Sequence, residues 1–133
     1  MKIITVQPES IFQALADETR LRIIRLIVTT NEEACLCELV DSLQESTYKL
    51  SRHLKILRQA GLLSAQKDGR WVYHRLVSKP LYLETLYATV HALPDPDQIY
   101  QADVERFKQR MCLREDGRCR VGILSDDLKV ESK

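Results

Sequence analysis

The feature that most restricts how this chain can fold is the change of hydrophobic period at Gly61. Before it, Leu50, Leu54 and Leu57 recur at spacings of four and three, the period of one helix face. Ser46 stands where an N-cap belongs, and Gly61 supplies the left-handed residue that helix C-termini favour. After it, Leu62–Lys67 and Trp71–Leu76 read as strands, the second rich in aromatic and branched residues. Asp68-Gly69 between them is a tight-turn signal. A shorter helix is expected just upstream, over Cys35–Leu43, with a break at Gln44–Glu45. Two short helices joined by a tight turn and followed by a hairpin leave few architectures open.

The rest of the chain is helical in pattern. Pro8 suits a first helical turn, and Ile11, Phe12 and Leu15 follow at helical spacing. Asp17 is a candidate N-cap for a second helix, apolar on much of its circumference through Leu21, Ile23, Ile24, Leu26, Ile27 and Val28. Thr29–Asn31 marks its end. A fifth helix is expected over Ser78–Leu93, a break at Pro94 and Pro96, and a sixth over Asp95–Met111. The expected fold class is therefore mostly α with a small β-hairpin, a winged helix-turn-helix. The first, fifth and sixth helices carry more apolar residues than so small a core needs, which predicts a homodimer. Residues 1–112 form the expected DNA-binding and dimerisation domain, and residues 113–133 a charged, mobile C-terminal tail.

Length and composition exclude several classes. The 133 residues allow one domain, and no apolar run approaches the roughly 20 residues of a membrane span. The N-terminus lacks a secretory signal pattern, so the expected location is cytoplasmic. Four cysteines at 35, 37, 112 and 119 do not make a secreted disulfide framework and read as free thiols or metal ligands. The net charge of +1 hides an uneven distribution. Residues 46–76 hold seven Lys or Arg against one Asp, +6 in all, so the remainder carries −5. A basic segment on an acidic body orients a protein toward phosphate. An enzyme is not expected: there is no Cys-x-x-Cys after a strand, no βαβ pattern and no phosphate-binding glycine loop.

Three strings in order resemble the ArsR/SmtB metalloregulators over roughly residues 10–90. Leu15-Ala16-Asp17-Glu18-Thr19-Arg20-Leu21-Arg22-Ile23 is similar to the family's second-helix signature. Ser51 to Leu62 resembles its recognition helix and exit, and Asp68 to Leu76 its wing. The resemblance implies a homodimeric winged helix that represses a resistance operon until an inducer releases it. On the polar side of the recognition helix, Ser46, Thr47, Lys49, Ser51, Arg52, His53 and Lys55 are the candidate contacts to double-stranded operator DNA, with Arg70 at the wing tip.

Cys35-Leu36-Cys37 resembles the Cys-x-Cys motif of the arsenical repressors, which implies arsenite or antimonite as the inducer. Thiolates are soft ligands and suit such ions. On an ideal helix, residues two apart point about 200° apart, so one ion gripping both would have to distort the turn that supports the recognition helix. Where those repressors often place a third cysteine, this chain has Val40. Cys119, between Arg118 and Arg120 that should favour its thiolate, is one candidate third ligand. Cys112, otherwise a packing residue ending the sixth helix, is another, and a two-thiol site is the remaining possibility. Cadmium or lead is an alternative inducer, and a thiol-redox switch an alternative mechanism. The zinc-binding pattern of the family does not fit: the fifth helix offers only Glu84 and His91.

Overall fold

A computed structural model describes residues 7–124. Helix α1, Pro8–Leu15, begins with proline in its first turn. Helix α2, Glu18–Thr30, is capped by Asp17, whose carboxylate accepts the Arg20 N–H at 3.0 Å. Strand β1 is only Ala34–Cys35 and leads directly into α3, Leu36–Leu43. Helix α4, Thr47–Gln59, is capped by Ser46, whose Oγ accepts the Lys49 N–H at 3.2 Å. Strands β2, Leu63–Asp68, and β3, Trp71–Leu76, form the hairpin, with Gly69 at a φ of 64° in the turn. Helices α5, Tyr82–Ala92, and α6, Ile99–Met111, follow.

This is a winged helix-turn-helix. The buried faces of α2, α3 and α4 meet through Ile23, Ile24, Leu39, Leu43, Leu50, Leu54 and Leu57. Each such side chain contributes about 1.5–3 kcal/mol by leaving water. The Tyr87 hydroxyl of α5 donates to the Leu62 and Val77 carbonyls, pinning that helix to the base of the wing.

Several boundaries differ from the sequence expectation. The sixth helix starts at Ile99, not Asp95; the Asp95 carboxylate instead accepts the Tyr100 and Gln101 N–H groups at 3.1 and 3.0 Å. The fifth starts at Tyr82 instead of Ser78. The wing is a three-stranded antiparallel sheet in the order β1-β3-β2, with Cys35 in register with Tyr73. Cys35 is therefore extended backbone, φ −90° and ψ 163°, and not the first turn of a helix.

The C-terminal segment also departs from expectation. Residues 113–124 were expected as a mobile tail, but they lie against α3 and the wing. The Arg114 guanidinium grips the buried Glu38 carboxylate through Nε and Nη2, both at 2.7 Å. Arg118 pairs with Glu33 and, at 2.9 Å, with Asp68. Residues 125–133 lie outside the described residues.

Helix α6 is bound to α3 by arginines at a spacing of four. Arg106 donates to the Ser42 carbonyl and Arg110 to the Asp41 carboxylate, both at 2.6 Å; Arg114 on Glu38 continues the row. On the same face of α6, buried Asp103 accepts Arg22 Nε and Nη2 at 2.9 and 2.8 Å and Arg106 Nη2 at 2.8 Å. Such forked, charge-assisted contacts fix orientation as well as distance.

Candidate metal centre and nucleic-acid interface

Three of the four thiols meet. Cys35 Sγ lies 2.9 Å from Cys37 Sγ, which lies 3.3 Å from Cys119 Sγ, and all three sulfurs fall within 4.8 Å of one another. The pair converges because Cys35 precedes α3 instead of belonging to it. The extended backbone at Cys35 removes the 200° separation that two helical residues would have. No turn of α3 has to unwind for one ion to reach both sulfurs, which corrects the sequence-based expectation of a distorted helix.

Tyr73 places the third thiol. Its ring is buried in β3 directly across from Cys35, and its hydroxyl accepts the Cys119 N–H at 2.8 Å. The Arg118 guanidinium covers the same ring, 4.2 Å from its centroid. Glu38 holds the other end: it accepts the Cys35 N–H at 3.1 Å while paired to Arg114. Sequence reasoning missed Tyr73, Glu38 and Arg114, since none belongs to a metal-ligand or base-contacting pattern.

Mutual contact and burial govern the electrostatics here. The contact with Cys37, burial and the Glu38 carboxylate push the Cys35 thiol far above its usual range. Burial, together with the Cys35 thiol, pushes Cys119 up as well. Both are protonated at neutral pH. Arg118 and Arg120 do not lower Cys119 as expected, because one faces Glu33 and Asp68 and the other Glu115. Arg110, paired with Asp41, is a further cation beside the cluster. A pocket of about 360 Å³, lined by Cys35, Cys37, Trp71 and Ile123 among others, opens from the thiols to solvent. Cys112 is not in the cluster, nor is it packed: it caps α6 from an exposed position, Sγ 3.5 Å from the Lys108 carbonyl.

The donor set fits a soft, thiophilic ion. With metal–sulfur bonds of about 2.3 Å, bonds at right angles would place sulfurs ~3.3 Å apart, close to the spacing here. Three sulfurs and no carboxylate or imidazole in the cluster speak against hard cations.

The exposed face of α4 runs through Tyr48, Ser51, Arg52, Lys55, Arg58 and Gln59. Lys49 is half-exposed and pairs with Glu45 at 3.1 Å. Ser46 uses its hydroxyl as the cap, and Thr47 is half-buried. His53, expected among the base-reading residues, turns inward instead. It is buried, with Nδ1 3.0 Å from Arg20 Nη1 and 3.8 Å from the Asp17 carboxylate, and burial holds its pKa below the usual value. One residue of rotation along α4 separates the exposed row from the row facing α2. Tyr48, 75% exposed, was missed although it lies in the same first turn as Thr47 and Lys49. At the wing tip, Arg70 stacks over the Trp71 ring at 4.7 Å.

The fold and the exposed basic helix define the class: a winged helix-turn-helix protein with a three-thiol cluster beside its wing. Residues 17–65 match the family described as "Bacterial regulatory protein, arsR family". The chain is 48% identical over 69 residues to the arsenical resistance operon repressor of Escherichia coli K12, a match covering 52% of this chain and 58% of that protein. It is 33% identical over 66 residues to a cadmium resistance regulatory protein CadC homolog of Staphylococcus aureus, covering 50% and 54%. Among solved structures, the transcriptional regulator HlyU of Vibrio vulnificus superposes with a TM-score of 0.57 at 32% identity, covering 65% of this chain and 86% of that one. The chain belongs to the ArsR family. It spans little more than half the length of the arsenical and cadmium regulators it matches.

Proposed function

We propose that this chain is a transcriptional repressor that binds operator DNA as a homodimer and is released when arsenite or antimonite occupies Cys35, Cys37 and Cys119. The observation that carries this reading is the convergence of three buried thiols from β1, α3 and the C-terminal segment. Its likeness to an arsenical resistance repressor supports the same inducer class. Each thiol would exchange with one hydroxyl of arsenous acid and release one water, so no net proton is lost. Cadmium or lead is the alternative inducer, supported by the cadmium-regulator relative.

On the DNA side, Thr47, Lys49, Ser51, Arg52 and Lys55 would meet the major groove and Arg70 the flanking backbone. A second copy would cover the apolar groove between α1 and α5, about 840 Å³ and lined by Ile11, Phe12, Tyr82 and Leu86 among others. Phe12 is 63% exposed in the single chain. The thiols connect to DNA through two routes: α3, which packs on α4, and β3, whose Tyr73 touches Cys119. An ion differs in affinity for two states only through such contacts. The protein acts by binding instead of catalysis, in the cytoplasm, where thiols stay reduced.

The test is fluorescence anisotropy of a labelled upstream-promoter duplex with reduced protein, titrated with arsenite and then cadmium. Release of wild type but not of a Cys35→Ser/Cys37→Ser variant is expected. Binding without release by either ion would remove the metal reading and move the switch to thiol oxidation.

A further inference from the structure

The C-terminal segment brings more to the wing than a thiol. Beside the hairpin tip lies a solvent-open cleft of about 410 Å³, lined by Asp68, Arg70, Trp71, Tyr73, Arg118 and Arg120 with Gly69. Three guanidinium groups face one carboxylate there. Arg118 is engaged: it binds Asp68 and Glu33 and covers Tyr73. The other two are available. Arg70 makes no ion pair among the described residues and lies over the Trp71 ring, 4.7 Å from its centroid. Arg120 is half-exposed, and its one ion pair among the described residues, to exposed Glu115, is a long 3.7 Å.

We propose that this cleft grips a backbone phosphate of duplex DNA, with Arg70 from the wing and Arg120 from the C-terminal segment as its two arms. The inference rests on the DNA-binding reading above and extends it to a segment that lies beyond the helix-turn-helix and hairpin. Arginine's planar fork matches phosphate oxygens, and stacking on Trp71 sets the Arg70 fork before contact. A wing tip flanks the groove-reading helix, where the duplex presents its sugar–phosphate rail. Asp68 does not oppose the contact, because Arg118 neutralises it. Cys119 lies between Arg118 and Arg120, so the same few residues hold a thiol of the cluster and an arm of the phosphate contact.

The experiment measures duplex affinity of the full chain over a salt series, for wild type, Arg120→Gln, Arg120→Lys and Arg70→Gln. Each substitution removes one phosphate contact per protomer, two in the dimer, which lowers the slope of log K against log salt by about 1.8 and weakens binding roughly 30-fold at about 0.15 M salt. We expect that loss in Arg120→Gln and in Arg70→Gln, and a slope close to wild type in Arg120→Lys. The same factor is expected on a scrambled duplex, since a phosphate contact carries no sequence information. If wild type binds the duplex and the two glutamine variants keep its slope, the cleft is not a phosphate site and the repressor reading stands. If wild type itself fails to bind any duplex, both readings fall.

Discussion

Replacing Arg114 by alanine should open the C-terminal segment while the helical core stays folded. The Glu38 carboxylate is fully buried and, besides Arg114, accepts the Cys35 N–H. Removing one partner of a buried pair costs about 3–5 kcal/mol, because the other charge is left in a medium that cannot solvate it. The protein has an inexpensive escape. Arg114 lies just past α6, so undocking residues 113–124 lets water reach Glu38 without disturbing α2, α3 or α4. The other anchors are exposed ion pairs and single hydrogen bonds: Arg118 on Glu33 and Asp68, the Tyr73–Cys119 hydrogen bond at about 1 kcal/mol, Arg110 on the Val121 and Gly122 carbonyls, and Asp41 on the Leu124 N–H.

A shift of that size changes the open population roughly 150-fold to several thousand-fold at 1.4 kcal/mol per decade. Cys119 reports it directly, since its thiol is wholly buried when the segment is docked. The assay is N-ethylmaleimide alkylation resolved by peptide mass spectrometry, in a Cys112→Ser background that removes the exposed thiol. Far-UV circular dichroism checks that the helices persist. Arg114→Lys should fall between, because an ammonium keeps the charge but cannot reach both carboxylate oxygens as a fork. A rise in Cys119 labelling below about tenfold would refute the claim that this ion pair holds the segment.

Cys119→Ser should weaken the arsenite response at least tenfold, while Cys112→Ser leaves it unchanged; equal responses in the anisotropy titration would make the site a two-thiol one. Asp103→Ala strips the buried Arg22 of its forked partner and should cost about 3–5 kcal/mol, lowering Tm by roughly 11–18 °C for a chain of this length. An unchanged calorimetric melting point would contradict it. Burial, with the Arg58 cation, pushes His74 from 6.5 down to about 4. The unfolded chain then binds more protons than the folded one between those values, so stability falls as pH drops through that window and levels off below it. The loss is at most about 3 kcal/mol. His53, also lowered by burial, acts in the same direction, so the measurement is the difference between wild type and His74→Phe in urea titrations across that range. Parallel pH profiles would exclude His74 as a source.

The parts of the fold that the sequence made legible are those whose signal is local. Leu50, Leu54 and Leu57 and the Ser46 cap each act over a few residues and landed where their spacing placed them, and the Asp68-Gly69 signal fell one residue early, the turn being Gly69-Arg70. His53 shows the limit of that kind of reading. A polar residue on a basic helix was read as solvent-facing, yet Arg20 and Asp17 from another helix supply it with an inward partner. Cys35 shows a second limit. A two-residue strand carries no periodicity of its own and exists because Tyr73, 38 positions later, offers it an edge.

The third thiol depended on information of the same long-range kind. Cys119 reaches Cys37 across 82 positions because α6 lies on α3, and the row of arginines at 106, 110 and 114 sets that packing. Read along one helix, arginines at a spacing of four look like a solvated face, the ordinary meaning of such a row. Their partners, Ser42, Asp41 and Glu38, descend α3 in the opposite order, which is what two antiparallel helices require. That reversed order is the one trace of the contact in the sequence, and it becomes readable only once α3 and α6 are taken as neighbours. The charged segment after Met111 is thus held by the same chemistry that made it look unstructured. Its arginines are paired to carboxylates of α3, β2 and the strand-leading loop, and the thiol they carry closes the cluster.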